Sequence, residues 1–470
     1  VRLPGAALAL LVGVAAPLQP GWAAPLTLDE VIATVDARVP KLAQLDAKVL
    51  EAEAKALALR GAFDPVLAVK ATQELLGPYP TTTTDAALGW TSPLGPGLEV
   101  GWRYGAGDFA VYDGKYQTLD QGELRLGLTV PLLQDLGMSS ERAKVLMQDQ
   151  AAGIAAAERS ATAQELAGKA AALYAKWAAA GEKVELARAQ LGLAEARMGG
   201  IQRQVEEGGL PRVEAVDNAR AVASRRAELR EAEADLGAAA LALSLLLRDA
   251  QMRPVVPAPD RLPPRAPPAA PPAGVELEAL AAAAVKRRPD LVAIDLLEQS
   301  ARVDRQRAVS KVLPAVDLAA GLAQDRGAGD PKLGKTEVDL GLQVKLPVAL
   351  REGRGELARA EAALARVDAL RRDLVDTLRA ELETGLLQRE AAYARWLLMD
   401  EAVRAAEEVA RLEGRAFALG SSDLFKLTKR EETAAKERKA EIEARMELAL
   451  TEARLRTLTA AWATGGGAPP

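Results

Sequence analysis

Lys426 and Lys429 are the side chains whose type and spacing first suggest chemistry. They follow Gly420-Ser421-Ser422-Asp423, which reads as a helix stop and then an N-cap at one of the last three residues. Spaced i, i+3, the two lysines share one helix face. They lie within two turns of a helix N-terminus, whose partial positive charge adds to theirs. Such a pair attracts anions and repels cations; the alternative is two lysines on a solvated outer face. Nothing else in the chain offers catalysis. It has no histidine and no cysteine, which removes Ser-His-Asp triads, thiol nucleophiles, disulfides and most transition-metal sites. No catalytic residue, cofactor or metal site is expected. The two Gly-Ala-Gly-Asp loops at Gly105 and Gly327 read as turns, with a Ca²⁺ site as the alternative.

The elements that must carry these residues follow from composition. The chain has 470 residues and a net charge of -5, so nothing in its charge points to a nucleic-acid partner, and none is expected. Aromatics are only 3% of residues, too few for a large conventional core, and alanine supplies much of the apolar fraction. Small side chains let helices approach closely, which points to long packed helices. Residues 1–23 read as an export signal: Arg2 is basic, Ala6 to Ala16 is apolar, and Gly21-Trp22-Ala23 is a small-x-small cleavage pattern. A short buried helix is the alternative. Elsewhere no apolar run reaches the ~18–20 residues of a membrane helix, so any membrane span must use strands.

One unit is written twice. The segment from Ala37 superposes without a gap on that from Lys286, with Pro40 on Pro289, Leu42 on Leu291 and Pro65 on Pro314. A later match places Gly209 on Gly420, Val213 on Leu424 and Val216 on Leu427. Residues 253–274 between the copies are rich in proline, which lacks an N–H donor, and read as a stiff extended linker rather than helix or paired strand. The expected organisation is a first repeat over 24–252, with strands at about 63–133, a helical hairpin at about 139–251 and its tip at 207–213. The second repeat covers 275–463, with strands at about 314–347, a hairpin at about 353–462 and its tip at 419–424, before a flexible tail at 464–470. Helices of ~65 residues would be about 100 Å long. Leu370, Leu374, Leu378, Leu382 and Leu386 recur every four residues, so their buried stripe must wind around the helix.

The strands alternate. Leu98, Val100, Trp102 and Tyr104 share one face, as do Leu124, Leu126, Leu128 and Val130, and later Val338, Leu340, Leu342, Val344 and Leu346. Half-apolar strands of ~9–11 residues suit a transmembrane barrel wall; a soluble sandwich with one buried face is the alternative. Half of the chain's aromatics fall between Phe63 and Tyr116, as interfacial girdles require. Two to six strands per chain cannot close a barrel in lipid, so several chains must share one. The fold class is therefore α+β with an internal repeat: long helical hairpins joined to strands of a shared transmembrane barrel.

The order of these segments resembles the TolC family of outer-membrane efflux proteins over essentially the whole mature chain. The likeness rests on LTLDEVIATVDARVP after the signal, RRPDL opening the second copy, VPLLQDLG and KLPVALREGRGELARAEAAL leaving the strands, and GGLPRVEAVDNAR and ALGSSDLFKL at the tips. The resemblance implies a homotrimer with a β-barrel in the outer membrane, in contact with its lipid, and an α-helical barrel across the periplasm, the linker lying at its waist. It implies a passive exit duct, with an inner-membrane transporter of RND, ABC or MFS type and a periplasmic adaptor (membrane fusion) protein as partners. Gly208, Gly209, Leu210, Gly420, Ser421 and Asp423 become the adaptor-docking candidates. The family pattern sets an aspartate ring after the second tip, and a tyrosine and an arginine near the tip that hold the pore shut. Here the latch positions hold Phe417 and Ser422, the aspartate positions hold Lys426 and Lys429, and the acidic position after the first tip holds Ala215. The expectation is a basic constriction that favours anions, closed by Phe417 and Leu424. A periplasmic coiled-coil adaptor or scaffold is the alternative function; an adaptor would carry one hairpin, not two.

Overall fold

A proline opens the second member of both short helix pairs. Helices α1 (Leu28–Arg38) and α2 (Pro40–Arg60) meet at Val39, and α5 (Leu277–Arg287) and α6 (Pro289–Val312) meet at Arg288. Both junction residues are extended, with φ -80°, ψ 122° and φ -68°, ψ 122°, because the ring of a following proline excludes the helical conformation. The computed structural model describes residues 24–76, 79–109, 116–271 and 275–462. The expected export signal at 1–23 and tail at 464–470 lie outside the described residues.

After its short helices the first repeat forms β1 (Val66–Gln73), β2 (Thr81–Thr91), β3 (Gly97–Gly107) and β4 (Glu123–Pro131), then α3 (Ser140–Glu206) and α4 (Arg212–Ser244). The second forms β5 (Ala315–Asp325), β6 (Glu337–Lys345), α7 (Arg351–Ala418) and α8 (Leu424–Leu458). The strand numbers differ, four against two. All six form one antiparallel sheet in chain order, and the β4–β5 pairing joins the repeats.

Register sorts the sheet into two faces. Leu67, Leu88, Val100, Leu126, Leu322 and Val338 are partners across all six strands, and Trp90, Leu98, Leu128, Ala320 and Leu340 form the next rung of that face. The opposite face carries Lys70, Asp85, Arg103, Glu123 and Asp325 along one rung, and Gly89, Glu99, Gly127, Gly321 and Asp339 along another. On that polar face Arg103 pairs with Glu123 at 2.6 Å, and Arg125 reaches over β3 to Asp85 at 3.0 Å. Among the described residues β1 and β6 each have one unpaired edge.

The chain divides into two compact units. The unit that holds the sheet (Asp36–Gly168, Pro272–Glu390 and Thr451 onward) has a core of Leu291, Ile294, Val367, Leu378, Leu382, Leu455 and Leu458. The leucine stripe winds as its spacing requires: Leu378 and Leu382 are buried, Leu374 and Leu386 are partly buried against them, and Leu370 is exposed. The other unit takes in the stretch up to Val35, Lys169–Pro271 and Ala391–Leu450. Its linker is tied down by arginines. Arg261 contacts Glu30 at 2.8 Å, and Arg265 contacts the buried carboxylate of Glu441 at 3.2 Å, which also accepts from Trp396 Nε1 at 3.0 Å. The linker is not wholly extended. It makes a 3-10 turn at Pro259–Arg261 and an isolated bridge between Arg248 and Pro254. Proline tolerates both places, since a first helical turn needs no N–H donor and the proline carbonyl still accepts.

Leu382 is 0% exposed and Leu387 is 64% exposed. Leu382→Ala should cost about 2–5 kcal/mol through lost burial and the cavity left behind. Leu387→Ala should cost less than about 0.5 kcal/mol. Guanidinium unfolding followed by far-ultraviolet circular dichroism checks the difference.

Candidate gate and docking tips

The hairpin tips close by the same backbone device. At the first, the Gly208 N–H donates to Val205 O at 3.1 Å and the Gly209 N–H to Gln204 O at 2.7 Å. At the second, the Gly420 N–H donates to Phe417 O at 3.0 Å and the Ser421 N–H to Ala416 O at 2.9 Å. These paired bonds are the Schellman motif, whose pivotal residue must be left-handed. Gly208 has φ +77° and Gly420 has φ +74°. The counterpart of Gly420 is therefore Gly208 and not Gly209, which corrects the repeat match by one residue. Gly209 is not in the left-handed region.

The helices leaving the tips start differently. Pro211 sits at the N-cap of α4 with φ -65°, ψ 144° and offers no side-chain acceptor, so it stands just outside the helix rather than in its first turn. Asp423 caps α8 by accepting from the Lys426 N–H at 2.7 Å. That bond and the Lys426 ammonium hold the Asp423 carboxyl below the usual aspartate range. A depressed carboxylate contributes stability above the ordinary aspartate value of about 3.9 and loses it as pH falls through the lower, folded-state value. The cap is thus intact throughout the neutral range.

The gate candidates fall into three environments. Leu424 is buried at 3% exposure, and Phe417 is half-buried at the end of α7. Ser422 Oγ donates to the Glu413 carboxylate, which lies 3.8 Å from Arg430. Lys426 and Lys429 are exposed, and each has a carboxylate beside it: Asp423 at 3.1 Å and Glu432 at 3.7 Å. The basic face is thus partly neutralised within its own helix. Among the docking candidates Leu210 is half-buried, while Gly208, Gly209, Gly420 and Ser421 are exposed.

Sequence reasoning missed a set of apolar side chains that the chain leaves uncovered at the tips. Val213 is 65% exposed and Phe425 is 70% exposed, and Val216 and Leu419 are exposed with them. In the corrected register Val213 falls on Phe425 and both are exposed, while the buried Leu424 falls on the exposed Arg212. A usable signal was present. Phe425 is one of only four phenylalanines and stands next to Leu424, so both cannot face the same side of a helix.

Residues 280–461 match the family described as outer membrane efflux protein. No curated protein sequence gives a significant match. Among solved structures, the chain is similar to the outer-membrane channel OprN, with TM-score 0.65, 16% identity, and 92% of this chain and 89% of that chain covered. It is also similar to VceC of Vibrio cholerae, with TM-score 0.63, 18% identity and coverage of 92% and 95%. The open state of MtrE from Neisseria gonorrhoeae matches with TM-score 0.61, 17% identity and coverage of 92% and 88%.

Left-handed backbone costs a residue with a side chain roughly 1–2 kcal/mol. Gly208→Val and Gly420→Val should each loosen their tip, seen as faster hydrogen exchange at 204–212 and 416–427. Gly209→Val should leave exchange at the first tip close to wild type. Equal effects at Gly208 and Gly209 would contradict the assignment of the left-handed residue.

Proposed function

We infer that this chain, an outer membrane efflux protein by the family of its second repeat, is the passive exit duct of an efflux complex in the outer membrane. The family and the similar structures are channels, and the chain works without catalysis. The observation that carries this reading is the sheet. It is mostly apolar on one face, with Gln73, Thr82, Thr84 and Gln324 toward one end of it, and small, polar or charged over much of the other; it is open at both edges and continuous in sequence with helices of 67 and 68 residues. An open edge in lipid leaves N–H and C=O groups without partners. We propose that three copies meet edge to edge, β6 of one against β1 of the next, to close a barrel with the apolar face toward lipid. The long helices continue the passage into the periplasm.

The tips are the proposed docking and gating region. A periplasmic adaptor would seat on Gly208, Leu210, Ser421 and Asp423, with Val213, Val216, Leu419 and Phe425 as apolar anchors. An inner-membrane transporter would supply the energy. Lys426 and Lys429 would present positive charge at the constriction, moderated by Asp423 and Glu432.

The absence of cysteine gives a clean background for a cross-linking test. Cysteines placed pairwise in β1 and β6, such as at 67–71 with 338–344, should yield disulfide-linked ladders up to three chains. A detergent-solubilised particle with the mass of one chain and full β-content would overturn the shared barrel.

Ion selectivity tests the lysines. In single-channel recordings across a salt gradient, Glu432→Gln should shift the reversal potential toward anions. Lys426→Asp together with Lys429→Asp should shift it toward cations. A reversal potential that neither variant moves places the lysines outside the pore.

A further inference from the structure

The two repeats should contribute equally to the sheet, and they do not. Pro65 matches Pro314 in the superposed repeats, so β1 is the counterpart of β5. β4 leads into α3 as β6 leads into α7, so β4 is the counterpart of β6. In the second repeat those two strands pair directly. In the first they are separated by two extra strands, β2 and β3, which pair with each other over eleven positions and with β1 and β4 on either side. The first repeat therefore carries an inserted hairpin, Thr81–Gly107, that widens the sheet from four strands to six.

An inserted hairpin in a channel has two physical fates: it folds into the lumen as a plug, or it becomes wall. The side chains decide. On one face the hairpin presents Ala86, Leu88, Trp90, Leu98, Val100, Trp102 and Tyr104, with Thr82 and Thr84 at the start of β2, in register with Leu124, Leu126 and Leu128 of β4 and with Leu67 and Val69 of β1. Trp102 and Tyr104 stack at 6.3 Å on that face. On the other face it presents Asp85, Ala87, Gly89, Glu99, Gly101 and Arg103, joined to β4 by the Arg103–Glu123 and Arg125–Asp85 ion pairs. A plug surrounded by water has no use for a face of leucine, valine and tryptophan, whereas a stave between lipid and lumen needs this alternation. The inner face is small or charged, and its longest side chains, Arg103 and Arg125, are held against the sheet by their ion pairs.

We propose that the hairpin β2–β3 is a wall insertion that enlarges the barrel, so that three chains build one of eighteen strands, six from each. Barrel diameter grows roughly in proportion to strand number, so this barrel is about one and a half times as wide as one built from two strands per repeat. A barrel of roughly 16–18 strands leaves an aqueous channel. The outer-membrane segment is then a wide water-filled passage, and the constriction that selects cargo lies elsewhere along the duct. The strand total rests on the trimeric reading above; the placement of the hairpin in the wall does not.

Two measurements on the full-length protein test this. In vesicles of phosphatidylcholine with brominated acyl chains, Trp90 and Trp102 should be quenched, and Trp90→Phe with Trp102→Phe should remove most of the quenchable emission. Unquenched Trp90 and Trp102 would overturn the wall placement, whatever the particle mass. The second measurement replaces Glu74–Gln121 with the β5–β6 loop, Arg326–Thr336, which joins β1 to β4 directly. Electron-microscopic projections should show a trimer with a barrel about one third narrower and a lower conductance. An unchanged diameter, or a higher conductance as expected for removal of a plug, would overturn the proposal. A variant that fails to assemble leaves the decision with the quenching result. A particle mass other than three chains removes the strand total alone.

Discussion

Two rows of unpaired backbone groups, one along β1 and one along β6, govern the rest of this structure. Six strands do not close a cylinder in lipid, where no water is present to serve an open edge. The proposed sharing of one barrel by several copies answers this constraint, which no intrachain rearrangement removes. Everything attached to the sheet inherits that condition. The apolar face of β6 is largely uncovered, which is intolerable in water and useful only beside lipid. Duplication meets half of the requirement internally, because β4 and β5 bring the two repeats into one sheet.

The helices solve a different problem with different residues. Long helices that pack closely leave little room for bulky side chains. Alanine takes that place along α3, where Ala163, Ala167, Ala170 and Ala171 are all buried. Small contacts bring helices close but leave little apolar area per residue, and ion pairs add specificity between neighbours. In the unit that holds the tips, Lys183 pairs with Glu443 at 2.9 Å, Arg445 with Glu182, and Arg197 with Glu431. The buried Glu441, held by Trp396 and Arg265, fixes the linker against α7 and α8 through the same chemistry. Glu441 is also approached by Arg438 at 3.8 Å and Arg445 at 3.5 Å, so its buried charge is shared among several partners.

Much of this was legible because the signals were periodic or punctuated. Period-two alternation identified β3, β4 and β6, and glycine after long helical text identified both tips. The inserted strand β2 was hidden. It begins Thr81-Thr82-Thr83-Thr84, and threonine is β-branched yet polar on both faces, so the run favours a strand without showing alternation. Its register becomes visible only through β1 and β3. At the first tip two consecutive glycines satisfy the sequence rule equally, and only the hydrogen bonds to Val205 and Gln204 show that Gly208 is the left-handed one.

The tips also show how a duplicated chain can divide labour. Both stop with the same left-handed glycine motif, yet one helix restarts after an uncapped proline and the other after an aspartate cap. A side-chain cap supplies an acceptor to one of the orphan N–H groups of the first turn; a proline there supplies only its fixed geometry. The start of α8 is therefore the more firmly ordered of the two. It also carries Lys426 and Lys429, and beneath them the buried Leu424 and Leu427 anchor the turn. The start of α4 has Val213 and Val216 exposed and no side-chain cap, and the second tip likewise leaves Leu419 and Phe425 exposed. The two tips thus keep the same left-handed stop and an exposed apolar side chain at the same place, Val213 and Phe425, and differ in how the following helix is capped.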